Sequence, residues 1–171
     1  PTIFNLIGPL LNPAQAEFLM IGVAHYDDMP LIADVLLKLK VSRALVFHCS
    51  GLDEICCVGP VDIIDIAHSS TNKFSLNPMN YGFKRCSVAD LRGGNATDNA
   101  LLLKTALQGQ SGPISDTLIL NAGIACYIYG LTNSIEDGIH LAKRRHGKGD
   151  AATLLEKIIR QTNRLGSIVE N

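Results

Sequence analysis

Phe18-Leu-Met-Ile-Gly-Val23, the aliphatic stretch 31–39 behind Asp27, Asp28 and Pro30, and Ala44-Leu-Val-Phe-His48 together decide the fold. The first and third are apolar runs of strand length, whereas 31–39 repeats Leu, Ile and Val at helical spacing after acidic and proline N-terminal signals. Strand, helix and strand with short connections form a βαβ unit, so the sheet begins parallel with a helix packed on its face. Next come Val61-Asp-Ile-Ile-Asp-Ile66 and Lys73-Phe-Ser-Leu76, parted by the polar stretch 68–72, which predict a β-hairpin. From about Ser87 the pattern turns helical over 96–107, 116–129, 134–145 and 151–163, each divided from the next by Gly or Pro. The expectation is an α/β fold: a partly parallel, mixed sheet flanked by helices, with a helical C-terminal half. Small residues in Asn121-Ala-Gly-Ile-Ala-Cys126 let that helix lie close against a neighbour.

The chain has 171 residues, one ordinary domain or a large piece of one. Hydrophobic residues make up 47% and charged residues 18%, enough to fill a core and too apolar for a disordered segment. Fifteen Lys and Arg against sixteen Asp and Glu leave a net charge of -1, which excludes the diffuse positive field of a nucleic-acid binder. Five cysteines, Cys49, Cys56, Cys57, Cys86 and Cys126, lack CxxC spacing and read as buried free thiols filling a core. No apolar run reaches membrane-spanning length and no signal peptide is visible, so a soluble, cytoplasmic protein is expected. The first thirteen residues combine three Pro, two Asn and Gly8 among apolar side chains, which predicts a short helical turn and then a rigid buried loop.

His48-Cys-Ser-Gly-Leu-Asp-Glu54 is the sharpest chemical signal. A buried strand ends in a histidine and a glycine turn, then presents two adjacent carboxylates where open α/β sheets bind ligands. Two acids with little Lys or Arg beside them suit an octahedral Mg²⁺ that also carries a substrate phosphate. Adjacent acids on a turn are more often simply solvated, and spacing alone leaves both readings open. His48 reads as a satisfied strand-end histidine. Leu91-Arg-Gly-Gly-Asn-Ala-Thr-Asp-Asn-Ala100 runs a Gly pair into a helix as phosphate turns do, without Walker or GxGxxG spacing, so a plain turn capped by Asn95 or Thr97 is expected. The basic residues of Lys143-Arg-Arg-His-Gly-Lys148 fall at a helix C-terminus, where cations complement the dipole.

Taken together, Thr2-Ile-Phe-Asn-Leu-Ile-Gly-Pro-Leu-Leu-Asn-Pro13, Gly51-Leu-Asp-Glu54, Leu91-Arg-Gly-Gly94 with Asn99-Ala100, and Leu118-Ile-Leu-Asn-Ala122 resemble anthranilate phosphoribosyltransferases in order and approximate spacing. The resemblance covers essentially all of residues 1–171. It implies a nucleoside phosphorylase/phosphoribosyltransferase-like catalytic domain. The implied reaction moves phosphoribosyl from phosphoribosyl pyrophosphate to the amino nitrogen of anthranilate, releasing pyrophosphate, with Mg²⁺, in tryptophan biosynthesis. Carried over residue by residue, it makes Asp53 and Glu54 metal ligands and places Gly8, Pro9, Asn12 and Pro13 in the wall of the anthranilate site. Pro1 stands where the family has an arginine that pairs with the anthranilate carboxylate, Asn95 where an acid is common, and Val61 where a threonine is common. The family's N-terminal helical domain, which carries its homodimer contact, is not in this sequence. Nor are its Gly-Thr-Gly-Gly-Asp and Lys-His-Gly-Asn phosphate segments. The chain therefore reads as the C-terminal portion of the catalytic domain, expected to be inactive alone and to expose apolar surface near its N-terminal segment. The alternatives are a pyrimidine nucleoside phosphorylase-like enzyme of the same fold and a non-catalytic paralogue that binds nucleic acid or a protein.

Overall fold

The computed structural model describes residues 8–11, 16–67 and 70–169. Strands β1 (Phe18–Gly22), β2 (Arg43–His48), β3 (Val61–Ala67) and β4 (Ser70–Leu76) form one sheet in the order β1-β2-β3-β4. Five α-helices follow in chain order: α1 (Asp28–Lys38), α2 (Ala96–Leu107), α3 (Pro113–Ile128), α4 (Ile135–His146) and α5 (Asp150–Val169). Short 3₁₀ turns lie at Gly8–Leu10, Pro78–Tyr81 and Val88–Leu91. β1 runs parallel to β2 through α1, from Phe18 opposite Arg43 to Gly22 opposite Phe47. The other two pairings are antiparallel, so the expected mixed sheet is the one observed.

Both faces of the central strands β2 and β3 are covered, which is why they depart from simple alternation. Ala44 and Val46 of β2 with Ile64 and Ile66 of β3 pack under Met29, Ile32, Ala33 and Leu36 of α1. Leu45, Phe47, Val61 and Ile63 turn to the opposite face and meet Leu120 and Ile124 of α3 and Ile139 of α4. Arg43 lies on that second face, ion-paired to Asp65 at 3.0 Å and stacked 4.7 Å from the Tyr127 ring centroid. The adjacent Ile63-Ile64 pair, which blurred the sequence pattern, has one side chain in each layer of core.

Helices α3 and α4 approach until their backbones touch. A Cβ on Gly123 would sit 2.6 Å from the Cα of Ile139, and one on Gly138 would overlap the Gly123 carbonyl. The small-residue stretch thus does pack closely, as its composition implied.

Several boundaries moved for physical reasons. α1 starts at Asp28 and contains Pro30 in its first turn, where the missing N–H has no intrahelical partner to lose. β4 starts at Ser70, so Thr71 and Asn72 pair with Ile66 and Asp65 where a loop was expected. β4 is an edge strand with mostly exposed side chains, and polar residues cost little there. α5 runs on to Val169, past the expected end at 163.

Cys49, Cys56 and Cys57 are fully buried, but Cys86 and Cys126 are only half-buried, which corrects the reading of all five as buried core. Burial pushes the Cys57 thiol up to about 12, in keeping with an inert filler. Leu11 is 71% exposed beyond the Gly8–Leu10 turn, so the buried loop expected there is not what its described part forms. Further exposed apolar side chains lie on the C-terminal helices, at Leu101 of α2 and at Leu154, Ile158 and Leu165 of α5.

Candidate active site at the end of strand β2

The chain leaves β2 through a tight turn. Ser50 and Gly51 take φ of 50° and 85°, and Cys49 and Leu52 exchange both backbone hydrogen bonds, at 3.1 and 2.8 Å. Two successive left-handed residues define a type I′ turn, which favours glycine at one of them. His48 braces it: its Nε2 accepts from the Gly51 N–H at 3.2 Å, which leaves Nδ1 to donate to the Val23 carbonyl at 2.9 Å. Both ring nitrogens are thereby engaged within the fold, and His48 is the satisfied strand-end residue that was expected.

The turn delivers Asp53 and Glu54 to the carboxyl end of the parallel strands, with both residues exposed. Gly22, the last residue of β1, makes room for them, since a Cβ there would overlap the backbone carbonyl of Asp53. On the other side, the Asn121 amide of α3 donates to the Ile55 carbonyl at 2.7 Å and to its own helix at Thr117 at 2.8 Å. Partial shielding from solvent raises the Glu54 carboxyl above its ordinary range, and the like charge of Asp53 pushes it the same way. Neither acid is in an ion pair among the described residues.

Beside the acids is a cavity of ≈ 240 Å³ lined by Leu52, Asp53, Glu54, Leu91, Ile114, Thr117 and Leu118. Three of the four motifs picked out in the sequence contribute to it: the acid loop, Leu91 and Leu118. The Thr117 hydroxyl is buried and has no hydrogen-bond partner among the described residues. A larger cleft of ≈ 420 Å³ among the helices, lined by Leu107, Ile119, Ala122, Leu131, Arg145 and His146, has no carboxylate on its wall. Its basic groups are occupied, His146 against the Ala106 carbonyl and Arg145 against Asp150. Lys143 is likewise held by the Tyr81 carbonyl at 2.9 Å, so these members of the basic cluster serve the fold.

In the glycine pair at 93–94, the Gly94 amide is taken up within the turn. Asn99 accepts from the Gly94 N–H at 2.8 Å, and Asn95 caps α2 by accepting from Thr97 and Asp98 at 2.9 and 3.0 Å. Of the residues expected to wall an acceptor site, Gly8 is exposed in its 3₁₀ turn, where Pro9 is the next residue. Leu10 at the end of that turn packs on the α1 side of the sheet. Asn12 and Pro13 lie outside the described residues. Two positioning residues, Gly22 and Asn121, were missed. The close approach at Gly22 has no local signature, whereas Asn121 stood inside a quoted motif without a role.

The profile described as "Glycosyl transferase family, a/b domain" matches residues 1–152. The chain belongs to this glycosyl transferase family. Among curated relatives, the anthranilate phosphoribosyltransferase of Chlamydia caviae is 41% identical over 156 residues, covering 91% of this chain and 46% of the relative. The Chlamydia felis enzyme is 40% identical over 158 residues, with 92% and 46% covered. The chain spans about half the length of the curated relatives it matches. A crystal structure of the Thermus thermophilus anthranilate phosphoribosyltransferase superposes with a TM-score of 0.84 at 35% identity, over 92% of this chain and 46% of that one. The Saccharomyces cerevisiae enzyme in complex with PRPP and Mg gives 0.82 at 25% identity, over 91% and 46%. The glycosyl transferase a/b domain therefore accounts for the mixed sheet and flanking helices. Among the described residues no helix is long and apolar enough to cross a membrane.

Proposed function

We propose that this chain carries the metal-binding acid loop of an anthranilate phosphoribosyltransferase, with Asp53 and Glu54 as Mg²⁺ ligands. The observation that carries the reading is the convergence of the 51–54 loop, Leu91 and Leu118 on one cavity with two unpaired carboxylates at its rim. The donor set fits the ion. Magnesium is held by one or two carboxylates and keeps waters and substrate phosphates in its remaining positions. No group of three or more His, Cys, Asp or Glu side chains gathers among the described residues, and the acid loop offers two carboxylates. When bound, the cation would neutralise charge on a departing pyrophosphate.

The chain's own residues hold and aim. Gly22 and Asn121 fix the loop backbone, and Leu52, Leu91 and Leu118 line the cavity beside the two acids with apolar surface. Positioning and electrostatics suffice for this chemistry without a protein nucleophile. Phosphoribosyl pyrophosphate and anthranilate are the proposed substrates, with residues Gly8, Pro9, Asn12 and Pro13 beside the acceptor and a homodimer as the working assembly. The test is to mix this chain with a separately produced N-terminal half of the Chlamydia caviae relative and follow phosphoribosylanthranilate fluorescence. Mg²⁺-dependent product in the mixture and none from either piece supports the proposal. Turnover by this chain alone, or an unchanged rate after Asp53→Ala with Glu54→Ala, overturns it.

A further inference from the structure

We infer that Asn121 is a positioning residue for the acid loop: its side-chain amide on α3 sets where Asp53 and Glu54 stand and so sets the affinity for a divalent cation. The inference rests on the reading of those two residues as metal ligands. Asn121 and Ile55 are 66 positions apart in sequence, yet the amide reaches the Ile55 carbonyl at 2.7 Å. Ile55 follows Glu54 directly and has no exposed surface, so its carbonyl has no bulk water to turn to. The second amide hydrogen is tied to the Thr117 carbonyl of the preceding helical turn at 2.8 Å, which fixes the side-chain rotamer. Asn121 is thus a rigid arm from a packed helix to the residue next to the acids.

The strand side completes the clamp. Gly22 at the end of β1 lets the Asp53 carbonyl sit where a Cβ would otherwise be. The loop therefore has a fixed wall on one side and a hydrogen-bonded anchor on the other, with the two carboxylates between them. An exposed acid pair on a free loop would lose conformational entropy on gathering around a cation; one held at both ends has lost it on folding. The Asn121 amide bonds to backbone carbonyls and Gly22 meets backbone, so both act on the carboxylates through the loop.

Mn²⁺, followed by its free-ion electron paramagnetic resonance signal, is the probe for this chain as it stands. Asn121→Ser keeps a small polar side chain that cannot span to Ile55, and it is expected to weaken Mn²⁺ binding about tenfold, the usual scale for losing an outer partner of a metal ligand. Asn95→Ala, which removes the α2 cap and costs stability without touching the loop, should leave the affinity unchanged. Asp53→Ala with Glu54→Ala should abolish binding. If the double variant abolishes binding while Asn121→Ser stays within about twofold of the parent, the positioning role is wrong and the ligand reading stands. If the double variant binds as the parent does, the ligand reading is wrong and this inference falls with it. Should Asn121→Ser not fold, the unaltered protein decides. Titration with Mg²⁺ is expected to shift the Asn121 side-chain amide resonances along the same isotherm as the Asp53 and Glu54 backbone amides, and a silent Asn121 amide overturns the inference.

Discussion

Two glycine turns in this molecule look alike in sequence and behave in opposite ways. The turn at 49–54 is built from backbone exchange between Cys49 and Leu52 and a histidine brace, and it leaves the Asp53 and Glu54 side chains unpaired. The turn at 93–95 commits its asparagine side chains to the fold, with Asn99 closing on Gly94 in both directions and Asn95 occupied by the α2 cap. A loop that satisfies its donors from outside the reactive side chains keeps those side chains available. One that satisfies them with its own asparagines has committed those side chains to the fold. The distinction lies in where the hydrogen bonds go and not in glycine content.

The comparison breaks most visibly if the acids are removed. In a reconstituted enzyme, Asp53→Ala with Glu54→Ala is expected to lower the Mg²⁺-dependent rate by about 10²-fold or more, the scale of losing a preorganised electrostatic element, read by phosphoribosylanthranilate fluorescence. Gly22→Ala comes next. The added methyl meets the Asp53 backbone, so the fold should lose about 1–3 kcal/mol as overpacking does, and Mn²⁺ affinity should fall with it, whereas Gly51→Ala should cost only its strained φ of 85°. Chemical denaturation alongside Mn²⁺ titration separates the two. In the second turn, Asn95→Ala should cost about 1 kcal/mol in a denaturant melt, as cap losses do, and change no rate in the reconstituted enzyme.

The smallest effect is one of pH. Because the folded Glu54 carboxyl titrates above its ordinary value of 4.5, its contribution to stability is full below that value and is lost as pH rises through the raised one. Glu54→Gln should therefore flatten the decline of stability across that window in the metal-free protein, a change to be read as the slope of the melting midpoint against pH. An unchanged or steeper slope in the variant would show that Glu54 does not titrate above its ordinary value in the folded protein.

Much of the architecture was legible because it is local. The apolar runs at 18–23 and 44–48 with the helix between them specify a parallel pair, and Gly and Pro mark the breaks among the C-terminal helices. Boundaries slipped where tertiary context decides: Thr71 and Asn72 join a ladder because the edge of a sheet tolerates polar side chains, and Pro30 enters a helix because a first turn has N–H groups to spare. In the candidate site, Asp53 and Glu54 could be named from their place after a strand. The family resemblance then implied a ligand role for them. What holds them could not be read from the sequence, since the Asn121 amide and the Ile55 carbonyl meet only after α3 has packed on the sheet. The closeness at Gly22 likewise depends on where a loop 31 positions later comes to rest.

The backbone contact between Gly123 and Gly138 gives that last dependence a longer reach. Gly123 lies two residues beyond Asn121 on the same helix, so a side chain introduced at Gly138 would wedge α3 away from α4 and carry Asn121 with it. A displacement of about half an ångström takes a 2.7 Å hydrogen bond to the end of its normal range near 3.2 Å. The accuracy with which the two acids are aimed is then inherited from a helix crossing that touches neither of them. Sequence drift at that crossing would thus reach the acid loop without changing either acid.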